Sequence, residues 1–196
     1  SLVLRLYYTR NSYKVTYAYE GTAPEGASEL PEEATYKYGA SVEVAGNATA
    51  PGYTFSGWDS DNVEIAENEF TMPAQDVVIT GRFTANTNTE YKVEHYLQDL
   101  DGEGYTLKET EPKAGTTGTE VTAEPKSYTG FTFDNSVEGT VQTGTIAGDG
   151  SLVLRLYYTR NSYKVTYAYE GTAPEGASEL PAEATYKYEA SVEVAE

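Results

Sequence analysis

The sequence contains no cysteine. Disulfide staples, zinc–thiolate sites and thiol nucleophiles are excluded at once. The chain is also unlike the small secreted animal domains that depend on disulfides. Basic residues are scarce: 13 Lys and Arg stand against 31 Asp and Glu, a net charge of −18. A nucleic-acid-binding chain carries a basic patch or stripe, and none is visible. Attraction to an anionic membrane surface is disfavoured on the same ground. No apolar run approaches the ~20 residues of a membrane-spanning helix, so membrane insertion of this segment is not expected. Helical periodicity is missing too, and the best short candidate is a single turn at Pro31 to Tyr36.

What the chain does have is tyrosine and repetition. There are 19 Tyr against 5 Phe and 1 Trp. Tyrosine supplies apolar area with a polar tip, which suits thin sheets with one wet face. Residues 1–46 recur at 151–196 with 43 of 46 positions identical. The exceptions are Glu32/Ala182, Gly39/Glu189 and Gly46/Glu196. A period of this length signals an array of small modules.

Each period holds two related halves. Tyr13-Lys14-Val15 opens the first (A) and Tyr91-Lys92-Val93 the second (B), before Tyr163-Lys164-Val165 reopens A. Gly52-Tyr53-Thr54-Phe55 in A matches Gly130-Phe131-Thr132-Phe133 in B. The expected division is therefore fourfold. Residues 1–10 are the last strand of a truncated B, 11–86 a complete A, 87–160 a complete B, and 161–196 the first half of a second A. Because the chain begins and ends inside a repeat, any export signal or wall anchor is expected outside it.

Within modules the period is two. Tyr13, Val15, Tyr17 and Tyr19 share one face, and Leu152, Leu154, Leu156 and Tyr158 share another. Val153 and Tyr157 on the opposite face of that closing strand predict a central position. Turn signals separate the strands at Ala23 to Gly26, Ala50 to Gly52, Asp101-Gly102 and Gly148 to Gly150. The fold class is mainly β, α+β at most. Short linkers, Thr84 to Glu90 and Thr159 to Ser162, predict restricted angles between neighbours.

Catalytic residues are not found. The single His95 lies on the apolar face of a first strand and reads as a packing residue; no Ser–His–acid, HExxH or phosphate-loop pattern accompanies it. Two acidic turns, Asp59 to Asn62 and Asp99 to Glu103, offer oxygens for calcium, with Asp99, Asp101 and Glu103 as the weak candidates. Calcium takes six to eight oxygen ligands and neither turn has the full EF-hand series, whereas Asp-Gly is an ordinary hairpin turn. No metal or cofactor is expected. A Lys–Asn isopeptide cross-link between first and last strands would use Lys14 with Asn86, or Lys92 with Asn161, but both lysines alternate away from the apolar face. Asn47-Ala48-Thr49 is a glycosylation sequon by pattern alone.

Tyr13-Lys14-Val15, the run Gly52 to Trp58, Phe70-Thr71-Met72-Pro73 and Val77-Val78-Ile79 together resemble the Listeria–Bacteroides repeat, of internalin B-repeat type. Tyr91 to Tyr96 with the turn Asp99 to Gly104 resembles the mucin-binding-protein repeats of Gram-positive surface adhesins. The resemblance implies small β-grasp-like modules, related to ubiquitin, strung into an elongated rod. It also implies an extracellular place on a bacterial cell surface, in a wall-anchored protein. The fold implied would set the first and last strands side by side and parallel, so that the chain enters a module at one end and leaves at the other.

The expected function is structural and non-enzymatic: a stalk that projects a distal binding domain. The alternative is that the repeats themselves bind host mucin, a glycan or a matrix protein multivalently. The incomplete ends are candidates for a strand-swapped oligomer.

Overall fold

The alternating segment Ser12–Tyr19 forms the first strand, β1. Val15 is buried while Ser12 and Lys14 face water. β1 pairs antiparallel with β2 (Ala34–Lys37) and parallel with β6 (Val77–Gly81), setting Tyr17 beside Ile79. Two shorter ladders complete this part. β3 (Ser41–Glu43) pairs with β5 (Glu69–Thr71), and β4 (Tyr53–Phe55) with β7 (Phe83–Ala85). The core between them is small: Val15, Val42, Val44, Phe70, Met72, Val77 and Ile79. Half-buried Tyr13, Tyr17, Tyr36 and Trp58 flank it, as expected of a tyrosine-rich sheet with one wet face.

The second part repeats this pairing plan. β8 (Thr89–Gln98) pairs antiparallel with β9 (Tyr105–Gly115) and parallel with β13 (Val153–Arg160). β10 (Glu120–Thr122) pairs with β12 (Thr143–Thr145), and β11 (Phe131–Phe133) with the tail of β13. β13 is central in the four-stranded order β11-β13-β8-β9, as its two-faced apolar pattern predicts. Leu154, Leu156 and Tyr158 fill the core with Val93 and Ala123. The A and B halves differ at the closing strand, which is continuous in B and interrupted at Arg82 in A.

This computed structural model describes residues 2–194. By contacts the chain divides into two units. The first runs to Thr89 and takes in Gly115–Gly118 and Ala147–Gly150; the second comprises Glu90–Ala114, Thr119–Ile146 and the chain from Ser151 onward. Among the described residues there is no helix. The turn of helix expected at Pro31 to Tyr36 is a correction: Ala34–Lys37 is β2. Thr35 and Tyr36 favour strand, and Tyr36 is drawn against Tyr13 across the ladder. The expected linkers, Thr84 to Glu90 and Thr159 to Ser162, are shorter still in the structure, since β7 ends at Ala85 and β8 begins at Thr89. Only Asn161 separates β13 from β14 (Ser162–Val165).

The near-identical ends show what the rest of a module contributes. Residues 3–10 have the same sequence as β13 but form no strand, and Leu4 is 82% exposed where Leu154 is fully buried. At the other end β14 pairs with β15 (Ala184–Lys187) in the register of β1 and β2. Both ladders are four pairs long, but β14 ends with its ladder at Val165, whereas β1 continues to Tyr19 along β6, which has no counterpart beside β14. Val192 is 37% exposed where its copy Val42 is 1% exposed. Local sequence suffices for the hairpin; the closing strand is what buries its face.

Candidate functional site

His95 sits in the core of the second unit with no exposed surface. β8 places it on the inward face beside Leu156, its register partner on β13. Its Nδ1 lies 2.9 Å from the Tyr158 hydroxyl, whose oxygen also accepts the backbone N–H of Lys126 at 2.9 Å. The Tyr158 hydroxyl thus bridges Nδ1 and the Lys126 amide, and Nε2 is buried without a hydrogen-bond partner. Burial pushes the imidazole below its usual pKa, and the nearby Lys126 ammonium adds to this, against opposing pulls from Glu111 and Glu109.

Those charges form a half-exposed network over the core. Lys126 is paired with both Glu109 and Glu111, and Lys113 with Glu111 at 3.0 Å. The two ammonium groups hold the Glu111 carboxyl down at about 2, well below the ordinary range. Tyr128 donates to Glu109, and its phenol is pushed up by burial and then by that carboxylate. No carboxylate hydrogen-bonds to His95 to form a relay, and the ring has no open face for a substrate. The arrangement packs and orders the sheet, in line with the packing role expected of this residue.

The acidic turns are used internally. Asp99 Oδ1 accepts from Thr106 Oγ1 at 2.7 Å and Asp101 Oδ1 from the Glu103 N–H at 3.0 Å, both inside the β8–β9 hairpin turn. Asp59 Oδ1 accepts the Ser60 N–H at 2.8 Å. Among the described residues no three His, Asp or Glu side chains gather as a metal site would require, so Asp99, Asp101 and Glu103 do not converge. The cross-link pairs are not brought together either. Lys14 Nζ is ion-paired with Glu33 at 2.7 Å, and Lys92 faces solvent. Asn47 of the sequon is exposed in the loop between β3 and β4.

The two asparagines singled out for that cross-link have a different task. In the second unit, the Asn161 N–H donates to Gly130 O at 2.8 Å and its Oδ1 accepts from Thr132 Oγ1 at 2.8 Å. Its carbonyl accepts the Tyr188 N–H at 2.8 Å. In the first unit Asn86 repeats all three: to Gly52 O at 2.9 Å, from Thr54 Oγ1 at 2.7 Å, and from the Thr117 N–H at 2.9 Å. The shared Gly-aromatic-Thr-Phe motif is thus half of a clamp that grips the residue following the last strand. Gly130, at φ +79°, is needed because the Tyr188 ring lies over it: a Cβ there would meet ring carbons at 2.2 Å.

Arg160, just before Asn161, completes the second-unit clamp. Its guanidinium lies over the Phe131 ring, 4.7 Å from the centroid. Its Nε donates to Gln98 O at 3.2 Å, while Nη1 donates to Tyr188 O at 2.9 Å and to Glu189 Oε2 at 2.7 Å. Sequence reasoning missed this cluster. The signal available was the recurrence of Asn after the last strand in both modules together with the Gly-aromatic-Thr-Phe match.

Residues 13–87 match the family model of the divergent InlB B-repeat domain. No curated protein matches the chain. Among solved structures, domains 3–4 of the Streptococcal High Identity Repeats in Tandem (SHIRT) of a cell surface protein are similar at 18% identity. That match covers 76% of this chain and 98% of the other, with a TM-score of 0.27.

Proposed function

We propose that this chain is a stretch of the repeat region of a bacterial surface protein, and that its modules act as spacers rather than as an enzyme. The observation that carries this reading is the parallel pairing of first and last strands, β1 with β6 and β8 with β13. A strand pair of that kind sends the chain in at one end of a module and out at the other. On this reading each module is β-grasp-like, and successive modules extend end to end. The match of residues 13–87 to the InlB B-repeat domain supports a place in a surface protein. The near-identity of residues 1–46 and 151–196 supports an array whose unit is reused for reach.

The test pairs shape with binding. A compact globule of 196 residues would have a radius of gyration of roughly 16 Å. The spacer reading expects small-angle scattering from the chain to give a clearly larger value, and no saturable binding to mucins, glycans or matrix proteins at high protein concentration. Saturable binding that strengthens with the number of repeats would instead make the repeats the adhesive.

A further inference from the structure

Two of the three differences between the repeated segments lie where the structure describes both copies, and one of these touches the clamp. Position 39/189 closes the turn after β2 and β15, and both copies hold it at positive φ: +77° in Gly39 and +65° in Glu189. Glycine adopts that conformation freely, whereas glutamate does so at a cost of about 1 kcal/mol. A glutamate at such a position calls for a compensating contact, and the contact is there. Its carboxylate meets Arg160, whose side chain is only 11% exposed.

The other copy gives the comparison within one molecule. Arg10 is the counterpart of Arg160, and its Nη1 donates to Tyr38 O at 3.3 Å just as Arg160 donates to Tyr188 O. The arginine–carbonyl contact thus forms in both copies, even though Arg10 has no Phe131 or Gln98 beside it. The carboxylate is missing along with those two partners. A Cβ built on Gly39 would lie 3.5 Å from Arg10 Nη1, an ordinary contact distance, so the position accepts a side chain directed at this arginine.

We propose that residue 39/189 sets the stiffness of the joint between a closing strand and the module that follows it: glutamate latches the joint to the strand's last arginine, and glycine leaves it looser. Nearly identical repeats would then differ in how firmly each is held to its predecessor, through one side chain. Glu189 is a positioning residue in this account, acting through Arg160 and the Tyr188 backbone. The idea rests on the spacer reading for its purpose, but its physical content is local to the second unit.

The absence of native cysteine allows a direct test on the full chain. Spin labels attached through Glu124→Cys and Thr185→Cys, both exposed positions, report the distance between the B module and β15. The latch predicts that Glu189→Gly broadens that distance distribution. It also predicts that the Tyr188 amide exchanges about fivefold to tenfold faster, the size expected for loss of a charge-assisted hydrogen bond. Global stability should not fall, because the glycine relieves the backbone at φ +65°. About 1 M salt, which cuts the Debye length to ~3 Å, should broaden the parent distribution and leave Glu189→Gly unchanged. The reciprocal Gly39→Glu should slow exchange of the Tyr38 amide. Unchanged widths and unchanged Tyr188 exchange in Glu189→Gly would overturn the proposal. Binding of a ligand by the repeats would count against the spacer reading alone and leave these readouts as they are.

Discussion

A neutral imidazole buried beside a phenol makes the second unit sensitive to acid. The charged groups that act on His95 are Glu109, Glu111 and Lys113 of β9 and Lys126 of the loop between β10 and β11, and its ring neighbours are Tyr128 of that loop and Tyr158 of β13. Its folded pKa lies below the unfolded value near 6.5, so the unfolded chain takes up the proton first. Stability is therefore full above about pH 6.5 and declines as pH falls through that value toward the folded pKa, by at most ~2 kcal/mol at pH 5. Urea midpoints of the chain at pH 7.5 and pH 5 should differ in that direction. His95→Phe should flatten the slope over this window, where Glu111, held at about 2, does not yet titrate in the folded state. Gly130→Ala makes a second residue-scale prediction: the Tyr188 ring must move away from the added methyl, and φ +79° adds strain. Loss of protection at the Tyr188 amide with the core amides of β8 and β13 retained is the expected exchange pattern.

One strand sequence in two settings separates propensity from burial. Leu154→Ala removes a fully buried side chain from the centre of a four-stranded sheet and should cost 2–5 kcal/mol, in the range for such cavities. Leu4→Ala changes the same residue in the same local sequence where it is exposed, and should fall within about ±0.5 kcal/mol. Denaturant titration of the two variants makes the comparison. The sequence alone predicted the strands and their faces well, because alternation such as Tyr13/Val15/Tyr17 reports directly on burial. It predicted β13 as central from Val153 and Tyr157. It misplaced Pro31 to Tyr36, since a proline followed by acidic residues resembles a helix start and only the pairing of Tyr36 with Tyr13 makes that segment a strand. The clamp was hidden for a different reason: Asn161 acts through its own backbone and through residues some 30 positions away on either side, a relation with no local pattern.

At the scale of the whole chain, acidic groups outnumber basic ones, and several of the cations, Lys164 with Glu183 among them, are ion-paired. Lys14, Lys113, Lys126, Arg155 and Arg160 each pair with a carboxylate. With a net charge of −18, residual self-repulsion favours separation of the modules, and it weakens with salt. If the modules extend as proposed, raising salt from about 10 mM to 0.5 M should shorten the maximum dimension seen by small-angle scattering while leaving the circular dichroism of the sheets unchanged.

The side-by-side first and last strands also decide how a module answers a pull. Tension applied through the chain at both ends of a module loads the backbone bonds between those strands in shear, so they must fail together rather than peel one after another. In the B half that patch joins Val153 through Tyr158 to Lys92 through Leu97 without a break. In the A half it spans Val15 through Tyr19 and ends just before the interruption at Arg82. Single-molecule stretching should therefore show the B module yielding at the higher force, so that under tension the chain lengthens in a fixed order, A before B.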